Sequence, residues 1–281
     1  MRPRPARAGM AALMMTAGLM KAGLALPCLA GEPPVQRPFE TLMPWSLARG
    51  RWEAGVGLVV RHDVNPVFFT DDSGTRRDER RLAVLDVAAG LGGGGEARLQ
   101  FGLQRFHEEG GQEETGIEDA RLTFSWQTPA TRYGAAAHVV VKLPNAGNDQ
   151  RLGTDETDLF FIGSAGRVLP RWGWAGQLGF GILGSPSDAG VQDDLLVFGC
   201  SAWMPLGSEG TGRPLLLVEV SGYAASRFGN DFRIARAGVR LFRRFPVDLS
   251  VRRGLTSESE NWGLELGITF RAAADAPAMS P

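Results

Sequence analysis

At 281 residues, with 30 Lys+Arg against 31 Asp+Glu, the chain has a formal net charge of −1, which excludes a polycationic nucleic-acid binder. Its hydrophobic content, 43%, is ordinary, and no uncharged apolar run approaches the roughly 18 residues of a membrane-spanning helix. With 38 Gly and 17 Pro, long helices are disfavoured and short strands joined by turns are favoured, while the absence of a three-residue glycine period excludes collagen.

The N-terminus reads as an export signal. Arg2, Arg4 and Arg7 precede a run of mostly Ala, Leu, Met and Gly that reaches Leu26 with only Lys21 inside it. Pro27-Cys28-Leu29-Ala30 follows, and its small residues predict cleavage after Ala30. Lipidation at Cys28 is the alternative, although Ala25-Leu26-Pro27 makes a poor lipobox. Removing residues 1–30 takes Arg2, Arg4, Arg7 and Lys21 from the 30 cations and leaves 26 against 31 acidic groups, about −5. Cys200 is then the only cysteine, so an exported chain has no disulfide to staple it. Residues 31–50 are Pro-rich and aperiodic: an N-terminal extension and a candidate plug.

From Arg51 onward the pattern has a period of two, the mark of strands with two unlike faces. Weak alternation over 51–60 and 80–90 brackets a long polar stretch, 61–79. In 96–106, Ala97, Leu99, Phe101 and Leu103 oppose Glu96, Arg98, Gln100 and Gln104. In 117–126, Ala120, Leu122, Phe124 and Trp126 oppose Asp119, Arg121, Thr123 and Ser125. In 133–143, Ala135, Ala137, Val139 and Val141 oppose His138 and Lys142. Weaker segments follow at 157–166, 172–183, 193–204, 213–223, 231–242 and 246–254. The last, 261–271, sets Trp262, Leu264, Leu266, Ile268 and Phe270 against Glu265, Thr269 and Arg271. That makes twelve segments, most near the roughly 9–11 residues of a tilted membrane strand.

Alternation alone suits a soluble sandwich equally well. Loop length separates the two readings. Connections 61–79, 107–115, 144–156, 184–192, 224–230 and 255–260 are long and polar; 91–95, 128–132, 167–171 and 243–245 are short, with 205–212 the longest of its class. Long and short loops alternate in bacterial barrels, with the tight turns periplasmic. On that orientation Trp52, Trp126, Tyr133, Trp172 and Phe270 fall at periplasmic strand ends and Trp262 at the opposite end, as an interfacial aromatic belt requires. The expected fold is therefore all-β: a transmembrane antiparallel up-and-down β-barrel of about 12 strands over 51–271, followed by a disordered tail, 272–281. Its expected place is the cell outer membrane of a Gram-negative cell.

The faces opposite the lipid would line a lumen with Arg98, Gln100, Gln104, Arg121, His138, Lys142, Arg236, Arg240, Asp248, Arg252, Glu265 and Arg271. Such a lining either selects weakly for anions or fills the interior with ion pairs, and pairing is the more economical expectation. His62, His107 and His138 share no metal-ligand spacing, so no metal site is expected. No Ser–His neighbours stand out as catalytic, and no cofactor motif is present. Gly92-Gly93-Gly94-Gly95 is a turn, since no Gly-Lys-Ser/Thr follows it. Cys200 reads as an inert mid-strand thiol. The acidic runs 71–78 and 108–114 read as solvated loops before divalent-ion sites.

With the strands placed, three stretches resemble a known outer-membrane pattern: Gly116-Ile117-Glu118-Asp119-Ala120-Arg121-Leu122, Val140-Val141-Lys142-Leu143-Pro144, and Leu152-Gly153-Thr154-Asp155-Glu156-Thr157-Asp158. Leu217-Val218-Glu219, Arg253-Gly254-Leu255-Thr256 and the closing Trp262 to Phe270 are similar in kind. The pattern is that of the family named for the meta-pathway of phenol degradation, also described as transporter-like outer-membrane proteins. The likeness spans roughly residues 50–271 and is densest over 116–165. This chain departs from it with an extra residue at Glu118, with Asn145-Ala146-Gly147 after Pro144, and with a tail beyond Arg271 where a terminal aromatic is usual.

The resemblance implies a barrel admitting aromatic or other hydrophobic compounds. The expected function is accordingly a channel or uptake protein for small solutes, not an enzyme. Its partners would be outer-membrane lipid and the outer-membrane assembly machinery, with no nucleic acid. The alternatives are a filled, non-conducting structural barrel and a soluble periplasmic β-sandwich or lipocalin-like binder.

Overall fold

The alternating segments hydrogen-bond to one another in chain order. The computed structural model describes residues 40–64, 77–108, 113–129, 133–146, 157–184, 193–207, 213–225, 232–241, 245–256 and 259–272. The expected signal peptide, residues 31–39 of the extension, most of both acidic runs and all but the first residue of the tail lie outside these.

Thirteen strands form among the described residues: β1 (Trp52–Val64), β2 (Arg77–Gly92), β3 (Gly95–Glu108), β4 (Glu113–Ile117), β5 (Ala120–Gln127), β6 (Tyr133–Leu143), β7 (Asp158–Val168), β8 (Gly173–Leu183), β9 (Asp193–Pro205), β10 (Leu215–Ala225), β11 (Phe232–Leu241), β12 (Val247–Gly254) and β13 (Trp262–Ala272). Each pairs antiparallel with its neighbours in a single sheet, and β1 pairs with both β2 and β13, which closes it. Closure removes the free edges that an open sheet must protect. β4 and β5 both lie against β3, with Ile117 opposite Leu103 and Arg121 opposite Gln100, so they share one stave and the barrel has twelve.

The two registers differ by one residue, and the surplus at Glu118-Asp119 is a β-bulge in which Glu118 N–H still donates to Gly102 O at 2.8 Å. Because β4 adds five residues beyond the bulge, the connection expected at 107–115 shrinks to 109–112. The tightest turn joins β2 to β3 through Gly93 and Gly94, at φ 60° and 81°. Two consecutive positive φ values match the twist of a two-residue hairpin, and glycine adopts them without steric cost.

Burial is inverted relative to a water-soluble protein. Leu58, Leu103, Leu178 and Val251 are more than half exposed on the outer wall, whereas Arg236 and Glu219 inside are 3% and 2% exposed. No second sheet covers the outer apolar face among the described residues, which rules out the sandwich alternative. An apolar outside and a polar inside define a transmembrane barrel.

Candidate functional site

The interior is the site, and its lower end is occupied by the chain itself. Residues 40–49 run inside the barrel towards the short-turn rim, where Gly50 N–H donates to Gly90 O at 3.1 Å. This strap has no strand beside it, so its backbone donors must be met by wall side chains. Glu219 on β10 accepts from the N–H groups of Glu40 and Thr41 at 3.2 and 2.9 Å. Gln177 on β8 accepts from Leu42 at 2.6 Å, Gln127 on β5 from Ser46 at 2.7 Å, and Glu96 on β3 from Leu47 at 2.9 Å. Met43 and Trp45 pack with Ala175, Trp203, Leu215 and Leu217, and the Trp45 and Trp203 rings meet edge-on at 6.1 Å. The strap depends on glycine at the wall: a Cβ on Gly134 would lie 2.8 Å from Trp45 Nε1. At its inner end Glu40 pairs with Arg236 and lies 4.0 Å from Arg252. Burial alone would raise the Glu40 carboxyl, but Arg236, Arg252 and Arg61 together hold it well below the ordinary carboxylate range.

One side of the interior is charged and internally paired. Arg236 meets Glu219 at 2.7 Å and Glu265 at 3.3 Å, Arg252 meets Glu265 at 2.6 Å and also contacts Glu260, and Arg240 meets Asp248 at 2.6 Å. Arg98 bridges Asp86 and Glu96 at 2.5 and 3.0 Å, Arg271 meets Glu53 at 2.9 Å, and Lys142 lies 2.6 Å from Asp158 and 3.6 Å from Asp119. The bulge turns both Glu118 and Asp119 inward; Glu118 meets Arg80 at 2.8 Å, and Gln104 accepts from Arg80 at 2.5 Å. Gln100 and Arg121 face the same cavity of about 680 Å³. Acidic and basic groups around that cavity nearly balance, so the lining has no strong single sign.

His138 lies between Ser125 Oγ at 2.8 Å and Ser164 Oγ at 2.7 Å, both on neighbouring strands. No carboxylate orients its ring among the described residues, so the cluster lacks the third member of a hydrolytic triad. Among the described residues no three His, Cys, Asp or Glu side chains are grouped to hold a metal ion.

The opposite side of the cavity is apolar, a feature the sequence pattern did not reveal. Ile162, Gly179, Val197, Tyr223 and Phe232 stand opposite one another in a continuous row across β7 to β11. Phe160, Leu183 and Leu195 add to it, with the Phe160 ring lying over Gly181, where a Cβ would fall 2.5 Å away. Tyr223 and Phe232 stack at 5.1 Å.

Outside, Trp52, Trp126, Tyr133, Trp172 and Phe270 lie exposed at the short-turn end, and Trp262 lies at the long-loop end stacked on His62 at 4.2 Å. Phe245 joins the first group against Phe270, and Arg167 lies over the Tyr133 ring at 4.4 Å. Cys200 is exposed on the outer wall.

Fold and interior thus define a twelve-stave barrel of the outer-membrane kind whose lumen is strapped at one end. An outer-membrane channel from Pseudomonas putida F1 has a similar structure, at 14% identity and a TM-score of 0.60, covering 81% of this chain and 97% of that one. The β-domain of the Bordetella autotransporter BrkA and the translocator domain of NalP from Neisseria meningitidis superpose with TM-scores of 0.46 and 0.47, at 10% and 13% identity. They cover 79% and 80% of this chain, and 99% and 90% of their own. No family model matches the chain, and no curated protein is significantly similar in sequence.

Proposed function

We propose that this protein is an outer-membrane channel or uptake barrel for small solutes with hydrophobic or aromatic bodies, strapped at its periplasmic end by residues 40–49. The observation that carries the reading is the continuous apolar row from Ile162 to Phe232 inside a barrel whose outside already faces lipid. A barrel built only for water and ions has no use for an apolar inner wall. The long-loop end then faces the medium, and outer-membrane lipid holds the aromatic rims. Export by a signal cleaved after Ala30 and insertion by the outer-membrane assembly machinery belong to the same reading. So does the resemblance to the phenol meta-pathway family, whose implied solutes fit the apolar row.

The dense ion pairing favours a second reading, a filled barrel that conducts nothing. Planar-bilayer conductance separates the two. The intact mature protein is expected to conduct weakly, and a form lacking residues 31–49 several-fold more. Silence from both forms, with folding verified by heat-modifiable migration on SDS gels, would leave the filled barrel standing. Vesicle uptake of benzyl alcohol against glucose then reads the solute class.

A further inference from the structure

The charged side of the lumen is not uniformly satisfied. Among the described residues, Arg61 and Arg121 are the cavity-lining cations that no carboxylate approaches within ion-pair distance. Arg121 is exposed to the lumen, and Arg61 Nε is buried without an acceptor. The other cations around the cavity are engaged with carboxylates, so the wall does not lack acidic groups; these two guanidinium groups are left over. Arg61 stands opposite Arg80 on β2, Arg80 holds Glu118, and Arg121 follows Glu118 by three residues, so the two arginines flank one ion pair and line the same cavity as Tyr223. Tyr223 belongs to the row formed with Ile162, Val197 and Phe232. Two unpaired guanidinium groups therefore face an apolar strip across one cavity of about 680 Å³.

We infer that the lumen holds a binding subsite for an apolar-bodied monoanion, a carboxylate on a short alkyl or aryl body. Arg61 and Arg121 take the head, and the strip of Ile162, Val197, Tyr223 and Phe232 takes the body. The inference rests on the channel reading above and narrows its solute class. A planar guanidinium matches a carboxylate with two parallel donors. Desolvating such a cation is unfavourable until an anion supplies the missing acceptors. The Glu118 carboxylate, paired with Arg80 beside both arginines, limits the charge the site accepts and disfavours dianions.

The test is calorimetric titration of the full mature protein in lipid nanodiscs with hexanoate, benzoate, hexanol, benzyl alcohol and acetate. Hexanoate or benzoate should bind at least tenfold more tightly than the alcohol of the same body and than acetate, and whichever acid binds better identifies the body. Arg61→Gln and Arg121→Gln should each weaken the acid about tenfold and leave the alcohol unchanged, as loss of a charged hydrogen bond requires. Arg121→Lys should recover part of the loss. Heat-modifiable migration verifies that each variant is folded. Equal binding of acid and alcohol overturns the subsite, as does insensitivity of the acid to both substitutions. Conductance in potassium chloride, measured on the same preparations, separates the two failures. A conducting barrel with no preference for acids loses only this subsite, whereas one that neither conducts nor binds any of the five probes loses the channel reading as well.

Discussion

Arg236 touches three carboxylates, Glu40, Glu219 and Glu265, from three different parts of the chain. Buried ion pairs of this kind add little net stability over an apolar filling, but removing one partner strands the others without compensation. Arg236→Ala should therefore cost about 3–5 kcal/mol, read as a lower urea midpoint for unfolding from vesicles. Arg236→Lys should recover only part, since one ammonium cannot reproduce a forked guanidinium. Glu40 gives a pH prediction. A carboxylate held below its ordinary value, near 4.5, contributes stability that is complete above that value. The contribution fades only as pH falls through the lower folded value. Acidification from neutral to about pH 5 should leave the strap latched, so single-channel current at the two pH values should agree. Current that has already risen at pH 5 would contradict the ionised latch. At this scale the sequence placed Arg98, Gln100, Gln104, Arg121, His138, Lys142, Arg236, Arg240, Asp248, Arg252 and Glu265 on inward positions, and all of them line the cavity. It passed over Gln127, Gln177 and Glu219, which also occupy inward positions but whose role depends on a strap that no local pattern announces.

Among the elements, the strap and the bulge carry the most information. Gly134→Val places its Cβ against the Trp45 ring and Pro44, both in the strap. It should dislodge the strap while the barrel stays folded, seen as higher conductance together with iodide quenching of Trp45 in a variant lacking the other tryptophans. The bulge takes up the surplus residue at 118–119 and sends Glu118 to Arg80 and Asp119 to Lys142. Deleting Glu118 removes the surplus residue, leaves Ile117 opposite Leu103 and joins β4 to β5 as one regular strand, at the loss of the Glu118–Arg80 pair. Refolding yield into vesicles should stay near that of the parent; a sharp fall would mean that the bulge itself is required for strand pairing. β7 to β9 show why alternation was weak over 157–204. Phe160, Ile162, Leu195 and Val197 face inward while Phe161, Phe180 and Leu196 face outward, so both faces are apolar and the period of two fades.

For the molecule as a whole, the aromatic rim makes a claim about the medium. Trp126 and Trp172 are exposed on the outer wall, whereas Trp45 and Trp203 are buried inside. Brominated lipids should quench single-tryptophan variants retaining Trp126 or Trp172 and leave those retaining Trp45 or Trp203 bright. Equal quenching of all four would place the interior tryptophans in contact with lipid and contradict the barrel's two-sidedness.

Twelve of the thirteen strands, their faces and the two unlike ends are legible in the chain, because side-chain alternation and turn chemistry are local properties of extended backbone; β4 is not, since it lies in a stretch that reads as a polar loop. Only the tertiary structure decided that β1 closes on β13, that Glu40 reaches Glu219 across 179 residues of chain, and that an apolar strip faces two unpaired arginines. Those contacts join residues distant in sequence across a lumen, and their energy depends on the whole ring of strands being complete.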